Sequence, residues 1–272
     1  MAGQQAKHKV AVVIPFYKDT LSAHEAIALQ QCFKVLANYP VIAVKPNHLT
    51  LPAAITAYPF ADTISFDDDY FKDIKGYNAL MLSDKFYKEF LGYEYILIHQ
   101  LDAFVFRDEL NYWCDQNYDY IGAPWLRDCD HPDWIKAVKS NIKYFFHIRY
   151  DIYVNGEPSH YQFENKVGNG GFSLRRVKKF YDISVAKKEF IAGYLANDST
   201  HFNEDRFWSI EVNRKRKALR IPYYKTGIKF SFEYVLDRAM SLTNNQLPFG
   251  CHAWDEHLDF WRPFFKECGY DI

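Results

Sequence analysis

The chain has 272 residues, 49% of them hydrophobic, and a formal net charge of −1. This is enough apolar sequence for one sizeable core or two small ones. The balanced charge gives no reason to expect nucleic acid as a partner. No apolar run reaches the roughly 18 residues of a spanning helix, and the first ten residues hold no apolar stretch typical of a secretory signal. Five dispersed cysteines predict free thiols, so we expect a cytoplasmic protein.

The first half of the chain alternates strand and helix patterns. The run "KVAVVIPFY" is typical of a buried strand, and Ser22 with Glu25 then has the spacing of a helix capping box. A second helix is predicted over residues 76–92, with Gly92 just past its end. Further strands are predicted at "PVIAVKP", "ADTISFDD", "YEYILIHQLDAFVF" and "YDYIGAPW". Such alternation predicts an α/β fold with a central, mainly parallel sheet flanked by helices.

Three polar segments follow predicted strands of this sheet. They are residues 15–18, 45–47 and 99–102, and ligands of parallel sheets bind outside the carboxyl ends of the strands. We therefore expect these segments to lie together around a ligand.

Residues 126–165 are polar and aromatic, with a helix predicted over 133–148 and a turn at Asn155-Gly156. This segment is either a substrate-facing insert or a helical flap without chemistry. The sequence contains no Pro/Gly/Ser-rich linker and no internal repeat. We therefore predict a single domain over residues 1–272.

Two candidate sites come from single motifs. Asp102 ends a strand that otherwise resembles core, so it is a turn cap, an ion-pair partner or a ligand of a hard cation. In "VGNGGFSLRR", three glycines in four positions precede a strand; they allow either a bulged turn or close approach of the backbone to a ligand.

Two further candidates lie in the second half. Asn203 is a plausible helix N-cap, so Glu204 and Asp205 fall in a first turn whose dipole favours their ionised forms. They are either electrostatic caps or a general base. His252 is either structural or a ligand, and Trp254 is either core or a sugar platform. The basic run 214–217 is interpreted as the solvated end of the helix, with weak attraction to anionic lipid as the alternative.

Taken in order, "IPFYKD", "HQLDAFVF", "YDYIGAPW", "VGNGGFSLRR", "NEDRFW", "FSFE" and "PFGCHAW" resemble the GT-A glycosyltransferases. More closely, the chain resembles a bacterial family of unknown function grouped with them. The resemblance covers most of the chain. It implies a GT-A-like (Rossmann-like) domain whose residues 1–125 bind a nucleotide and whose residues 126–272 bind the acceptor and carry catalysis.

The resemblance also implies roles for individual residues. Asp102 resembles the last acid of the D-x-D motif, which holds Mn²⁺ or Mg²⁺ on the donor diphosphate, and His252 resembles the histidine that completes this site. Asp205, beside Glu204, resembles the catalytic base of inverting members. Gln100 departs from the pattern, because an amide stands where the motif has its first acid. It can bond a ribose hydroxyl or a metal-bound water but supplies no second negative charge.

The remaining positions are contacts to substrates. The nucleotide contacts implied are Pro15, Phe16, Tyr17, Lys18, Lys75, Asn78 and Gln100, and the contacts to the donor sugar and acceptor are Trp125, Asn169, Gly170, Gly171 and Trp254.

We therefore expect an enzyme that moves a hexosyl or hexosaminyl group from a nucleotide diphosphate donor, a UDP-sugar, to a carbohydrate hydroxyl with inversion. If configuration is retained, Asp205 orients the acceptor instead. The resemblance places this work in bacterial polysaccharide or glycoprotein synthesis, in the cytoplasm or at the inner face of the membrane. The alternatives are a non-catalytic relic that binds nucleotide sugar or carbohydrate, which Gln100 favours, and a nucleotidyltransferase. The absence of glycine after the first strand counts against the latter.

Overall fold

The computed structural model describes residues 9–197 and 201–272; residues 1–8 and 198–200 of the predicted domain lie outside the described residues. The strands are β1 (Val10–Pro15), β2 (Val41–Pro46), β3 (Asp62–Phe66), β4 (Tyr95–His99), β5 (Phe104–Val105), β6 (Tyr120–Ile121), β7 (Pro124–Trp125), β8 (Tyr153–Val154), β9 (Glu157–Pro158), β10 (Lys166–Val167), β11 (Phe172–Arg176), β12 (Ser231–Phe232) and β13 (Gly250–Cys251).

The α-helices are α1 (Ala23–Val35), α2 (Ala53–Thr56), α3 (Ile74–Leu82), α4 (Asp84–Glu89), α5 (Leu110–Asp115), α6 (Trp134–Arg149), α7 (Val177–Ala186), α8 (Lys188–Leu195), α9 (Glu204–Ser209), α10 (Tyr224–Phe230), α11 (Leu236–Leu242) and α12 (Leu258–Glu267). Short 3₁₀ helices cover Asp68–Phe71, His160–Gln162, Glu211–Asn213 and Trp254–His257. In the parts of the chain that the structure describes, no helix combines the length and apolarity that crossing a membrane requires.

The central sheet has the strand order β3-β2-β1-β4-β11-β6. Strands β3, β2, β1 and β4 pair in parallel, whereas β11 runs antiparallel to both β4 and β6. The predicted fold class is therefore confirmed: an α/β fold with a mainly parallel central sheet flanked by helices. The reversed strand β11 places the glycine loop that precedes it beside the carboxyl end of β4, where Phe172 pairs with His99.

Apolar packing covers both faces of this sheet. Alternate residues of a strand point to opposite faces: Val12 packs in one apolar cluster with Leu29 of α1, and Val13 packs in the other with Leu80 of α3. Burial on both faces explains why β1 is a continuous apolar run. The capping box predicted at the start of α1 is present, with both Ser22 and Glu25 bonds formed.

A third apolar cluster covers the C-terminal part of the chain. It joins the small sheet β12-β13-β5 to α12 through Phe104, Trp254, Trp261 and Phe265. Both tryptophans are fully buried, so of the two interpretations of Trp254 the structure favours core. Because a buried indole offers no face to a sugar, the expectation that Trp254 contacts the donor sugar or acceptor is not carried into the proposed site.

Several predicted elements have different bounds. The predicted fourth strand ends at His99, and its apolar continuation joins the small sheet as β5. The predicted helix over 76–92 is divided at Ser83, whose extended backbone ends α3 and whose hydroxyl accepts from Lys85 N at the start of α4. The helix from Glu204 ends at Ser209, so the run 214–217 does not end it. The helix predicted over 133–148 and the turn at residues 155–156 are confirmed.

Candidate active site

A cleft of about 400 Å³ opens at the carboxyl ends of β1 and β4. Its walls include Pro15, Tyr17 and Lys18 after β1 and Gln100 and Asp102 after β4. The expectation that these two segments meet is therefore confirmed. Residues 45–47 are not part of the cleft lining.

Within the first segment, side chains alternate between the cleft and the core. Phe16 is fully buried against Phe60, whereas Tyr17 is 42% exposed, with its ring held edge-on by Phe71 and Tyr77. Lys18 lies 3.1 Å from Glu25 Oε2. Of these two aromatic residues, only Tyr17 lines the cleft and is accessible to a ligand.

His252 lies at the centre of a polar cluster that includes Gln100 and Asp102 of the cleft wall. Its Nε2 lies 3.2 Å from Asp102 Oδ1 and 3.1 Å from Gln100 Oε1. Its Nδ1 lies 3.2 Å from Glu233 Oε1. Burial alone would lower the pKa of His252, but Asp102 and Glu233 outweigh it and raise the pKa to about 10. Burial alone would raise the pKa of Asp102, but the charge and hydrogen bond of His252 outweigh burial, so the pKa of Asp102 is lowered.

Glu233 and Asn169 fix this histidine from behind. Asn169 Nδ2 donates to Glu233 Oε1 at 2.6 Å and lies 3.1 Å from His252 Nδ1. Both residues are buried. Glu233 ends the motif "FSFE" and has no role predicted from the sequence; its signal is an acid at the end of a short apolar strand, as at Asp102. A carboxylate that accepts from Nδ1–H leaves Nε2 facing the cleft.

The glycine loop lets this cluster approach the backbone closely. A Cβ on Gly171 would lie 2.0 Å from His252 Nε2 and 2.6 Å from Gln100 Oε1. A Cβ on Gly170 would lie 2.0 Å from Glu204 Oε1. The structure thus shows close approach of the glycine backbone to side chains of the protein itself, and close approach to a ligand stays a prediction.

Glu204 forms a buried ion pair that the sequence analysis missed. Its Oε1 accepts from Arg175 Nη2 at 2.8 Å, and both side chains are almost fully buried. Arg175 also donates to Gly170 O at 3.2 Å and to the Tyr87 hydroxyl at 2.9 Å. Arg175 lies in the strand β11, where the sequence "FSLRR" gave no sign that one arginine points inward. The pair fixes Glu204 to the glycine loop.

Asp205 is half-buried beside this ion pair. Burial, with the charges of Glu204 and Glu233, raises the pKa of Asp205 to about 8. The expectation that the helix dipole holds Asp205 ionised is therefore wrong in direction. The helix α9 has only six residues, and its dipole does not offset burial among other carboxylates.

The cap of α9 comes from another helix. Asn203 occupies the N-cap position, but its side chain makes no cap hydrogen bond. Instead, Asn78 Oδ1 of α3 accepts from Glu204 N at 3.0 Å, and Asn78 Nδ2 donates to Asn203 Oδ1 at 3.2 Å. Asn78 is buried, whereas Lys75 is exposed. The structure thus gives Asn78 a role in positioning α9; nucleotide contact by either residue stays a prediction.

Trp125 lies over the start of the glycine loop. A Cβ on Gly168 would meet its indole at 2.2 Å, and Phe163 packs edge-on against it. Trp125 is only half-buried, so part of its ring is accessible near the loop.

The residues around His252 fit a divalent cation that is shared with a diphosphate. Asp102 Oδ1 is buried and, apart from the contact with His252, has no hydrogen bond among residues 9–197 and 201–272. A carboxylate, an imidazole and an amide oxygen suit a cation that takes its other ligands from phosphate and water. Within the same ranges, no group of three or more His, Cys, Asp or Glu could hold a metal alone, so such binding would depend on the nucleotide.

Solved glycosyltransferases share this architecture. The galactosyltransferase LgtC, solved with donor and acceptor sugar analogs, superimposes with a TM-score of 0.54 and 15% identity over 89% of this chain and 86% of its own. Core-mannan synthase A from Aspergillus fumigatus, in a Mn/GDP form, gives a TM-score of 0.51 and 12% identity over 83% of this chain and 75% of its own. At these identities the likeness shows the fold, which is that of GT-A glycosyltransferases.

The sequence itself matches one family. Residues 60–252 match the family described as "Protein of unknown function (DUF5672)". The match spans well over half the chain, and the chain belongs to this family. No curated protein matches the sequence. Membership in a family of unknown function agrees with the resemblance stated above; its bacterial origin stays a prediction.

Proposed function

We propose that this protein is a glycosyltransferase that moves a hexosyl or hexosaminyl group from a nucleotide diphosphate donor, a UDP-sugar, to a carbohydrate hydroxyl. One observation carries the proposal: Gln100, Asp102 and His252 meet the glycine loop and the Glu204-Asp205 helix start at one end of the sheet. Ligands of such sheets bind at this edge. The solved neighbours with a donor analog or with Mn and GDP support a nucleotide-sugar ligand.

The cleft accounts for donor binding. Tyr17 would stack on the base, and the Gln100 amide would bond the ribose, since both residues line the cleft. Asp102 and His252, with Gln100 through its oxygen or a bound water, would hold Mn²⁺ or Mg²⁺ on the diphosphate, where the cation stabilises charge on the leaving group. Glu233 faces Nδ1 of His252 and leaves Nε2 directed at Asp102 and Gln100. A bound cation would replace the proton that the raised pKa keeps on Nε2.

Proton transfer falls to Asp205. A carboxyl with a pKa of about 8 is a stronger base than an ordinary aspartate and is partly ionised near neutral pH. It would take the proton from the attacking hydroxyl, with inversion at the anomeric carbon. Glu204, held by Arg175, keeps the helix start against the glycine loop and the donor sugar. If the transfer retains the anomeric configuration, Asp205 would orient the acceptor hydroxyl instead.

The acceptor side lies around the glycine loop. The half-buried Trp125 offers an aromatic surface for a sugar ring, next to the backbone of Asn169, Gly170 and Gly171. We place the activity in synthesis of bacterial polysaccharide or glycoprotein glycans on the cytoplasmic side of the membrane, as the sequence resemblance implies.

A panel of nucleotide sugars tests the proposal. Wild-type protein with Mn²⁺ should slowly hydrolyse, or transfer from, one donor. Asp205→Asn should lose turnover by at least about a hundredfold, the scale of general base catalysis, while donor affinity stays within about twofold, because the carboxylate acts on the acceptor. Asp259→Asn is a matched control, since Asp259 is 95% exposed. Near wild-type turnover in Asp205→Asn would remove Asp205 from the mechanism.

A second candidate function is that of a non-catalytic protein that binds nucleotide sugar. The observation that favours it is Gln100, which stands where the D-x-D motif has its first acid. In addition, no group of three or more His, Cys, Asp or Glu that could hold a metal forms within residues 9–197 and 201–272. For this candidate, the panel would give saturable binding of a nucleotide sugar with no hydrolysis of any donor.

A further inference from the structure

Helix α6 carries an apolar face that residues 9–197 and 201–272 leave exposed. Trp134, Val138, Ile142, Phe145 and Phe146 are between 46% and 75% exposed. On a helix of 3.6 residues per turn they fall within an arc of about 120°. Most exposed apolar residues of a soluble protein are scattered singly, so a continuous stripe of this kind marks an interaction surface.

The other face of α6 is attached to the protein body. Tyr144 is buried and donates to Glu164, and His147 Nδ1 lies 2.8 Å from Ser159 Oγ. Arg214 donates to the carbonyl of Ile148 near the end of the helix. The helix is therefore fixed by one side, and the apolar stripe faces outward.

Charge distinguishes this stripe from an ordinary protein-binding face. Residues 134–149 include Lys136, Lys139, Lys143 and Arg149 and no acidic residue. The three lysines lie along one edge of the stripe, where long side chains can extend to anionic headgroups while the apolar residues enter the acyl region. Two copies of this face would bring these cations together, which disfavours pairing of α6 with itself.

A basic cleft continues from the end of the stripe. It has a volume of about 1,090 Å³ and begins at Arg149 and Tyr150. Its two acids are occupied: Glu211 lies 2.9 Å from Arg206, and Asp151 lies 3.0 Å from Arg214. The other cations that line the cleft are Arg149, Lys187, Lys215, Arg216 and Lys217. A concave surface with this charge suits the phosphate of a lipid headgroup.

We propose that α6, with this basic cleft, docks the protein on a membrane surface that contains anionic lipid. The helix lies in the plane of the interface, with Trp134, Ile142 and Phe145 in the lipid and the lysines among the headgroups. The sequence alone suggested a weak attraction of residues 214–217 to anionic lipid. In this proposal α6 makes the main contact with lipid, and residues 214–217 add to it as part of the cleft lining. The proposal does not depend on the proposed transferase activity.

Sedimentation with lipid vesicles tests the docking directly. Wild-type protein should bind vesicles of phosphatidylcholine mixed with phosphatidylglycerol, bind phosphatidylcholine alone much less, and be released by salt. Lys139→Gln and Lys143→Gln should each reduce partitioning about fivefold at low salt. The combined change Ile142→Ser, Phe145→Ser and Phe146→Ser should reduce it by about tenfold or more.

Matched controls change exposed residues elsewhere. Lys85→Gln with Lys88→Gln removes two charges from α4, and Tyr112→Ser with Val185→Ser removes two exposed apolar side chains from α5 and α7. These variants should sediment like wild type. Because every substituted side chain is exposed, circular dichroism should show unchanged folding.

Three outcomes would overturn the proposal. The first is that the protein does not bind anionic vesicles at low salt. The second is that the α4 control loses as much binding as the α6 variants do. The third is that the protein does not bind vesicles but self-associates as its concentration rises, and that the stripe substitutions abolish this self-association. The last would assign the stripe to a second copy of the chain.

Discussion

Substitution of Gly171 by alanine adds only one methyl group, but it should strongly impair ligand binding. The added Cβ would lie 2.0 Å from His252 Nε2, whereas ordinary contact begins at 3.4 Å, so the imidazole must move by about 1.4 Å. Movement on the 1 Å scale at a reacting centre costs about a hundredfold in rate. Overpacking costs about 1–3 kcal/mol of stability. We therefore expect metal-dependent nucleotide affinity and any turnover to fall sharply in a protein that still folds.

The assay is nucleotide diphosphate binding by calorimetry with and without Mn²⁺, alongside thermal unfolding. Gly193→Ala is the matched control, because a Cβ there meets nothing within 4 Å. If Gly171→Ala binds nucleotide and metal as tightly as Gly193→Ala does, His252 does not form part of the ligand site and the account of the glycine loop fails.

Three further predictions concern the helix start at Glu204. Arg175→Met should destabilise the protein by about 3–5 kcal/mol in urea unfolding because it leaves a buried carboxylate without a partner; Arg175→Met with Glu204→Gln should recover most of the loss, and no recovery would refute the pairing. Asn78→Ala should cost about 1 kcal/mol, since it removes the cap on Glu204 N; an unchanged unfolding midpoint would contradict this. Transfer should rise about tenfold per pH unit up to about pH 8, because a raised pKa leaves Asp205 protonated below it; a flat profile in steady-state kinetics would exclude Asp205 as base.

The parallel part of the fold could be predicted because its signals are local. Strands buried on both faces, such as β1, give unbroken apolar runs, and the capping box at Ser22 is a four-residue pattern. The rule that ligands bind at carboxyl ends then brought residues 15–18 and 99–102 together correctly. The helix break at Ser83 was missed because the apolar spacing continues through it, so Leu82 and Phe86 are both buried despite the change of direction.

What could not be predicted depends on contacts between distant segments. Arg175 appears as one of two adjacent arginines, and only the direction of β11 shows that it points inward to Glu204. Asn169 meets His252 across 83 residues of sequence, and Glu233 meets it because β12 and β13, which the two residues follow, pair side by side. The raised pKa of Asp205 has this origin in part: Glu204 is its neighbour in α9, but burial, which is the largest cause, and the charge of Glu233 come from other segments of the chain. The local helix-dipole argument could not include them.

In the proposed site, Asp102 binds a nucleotide diphosphate through a divalent cation at the end of β4. The most direct measurement is the affinity of wild type, Asp102→Asn and the exposed control Asp259→Asn for UDP and GDP, each with Mn²⁺ and with chelator. We expect Mn²⁺ to strengthen binding in wild type and in Asp259→Asn but not in Asp102→Asn, whose fold is unchanged. Equal Mn²⁺-dependent affinity in Asp102→Asn would show that Asp102 does not hold the cation.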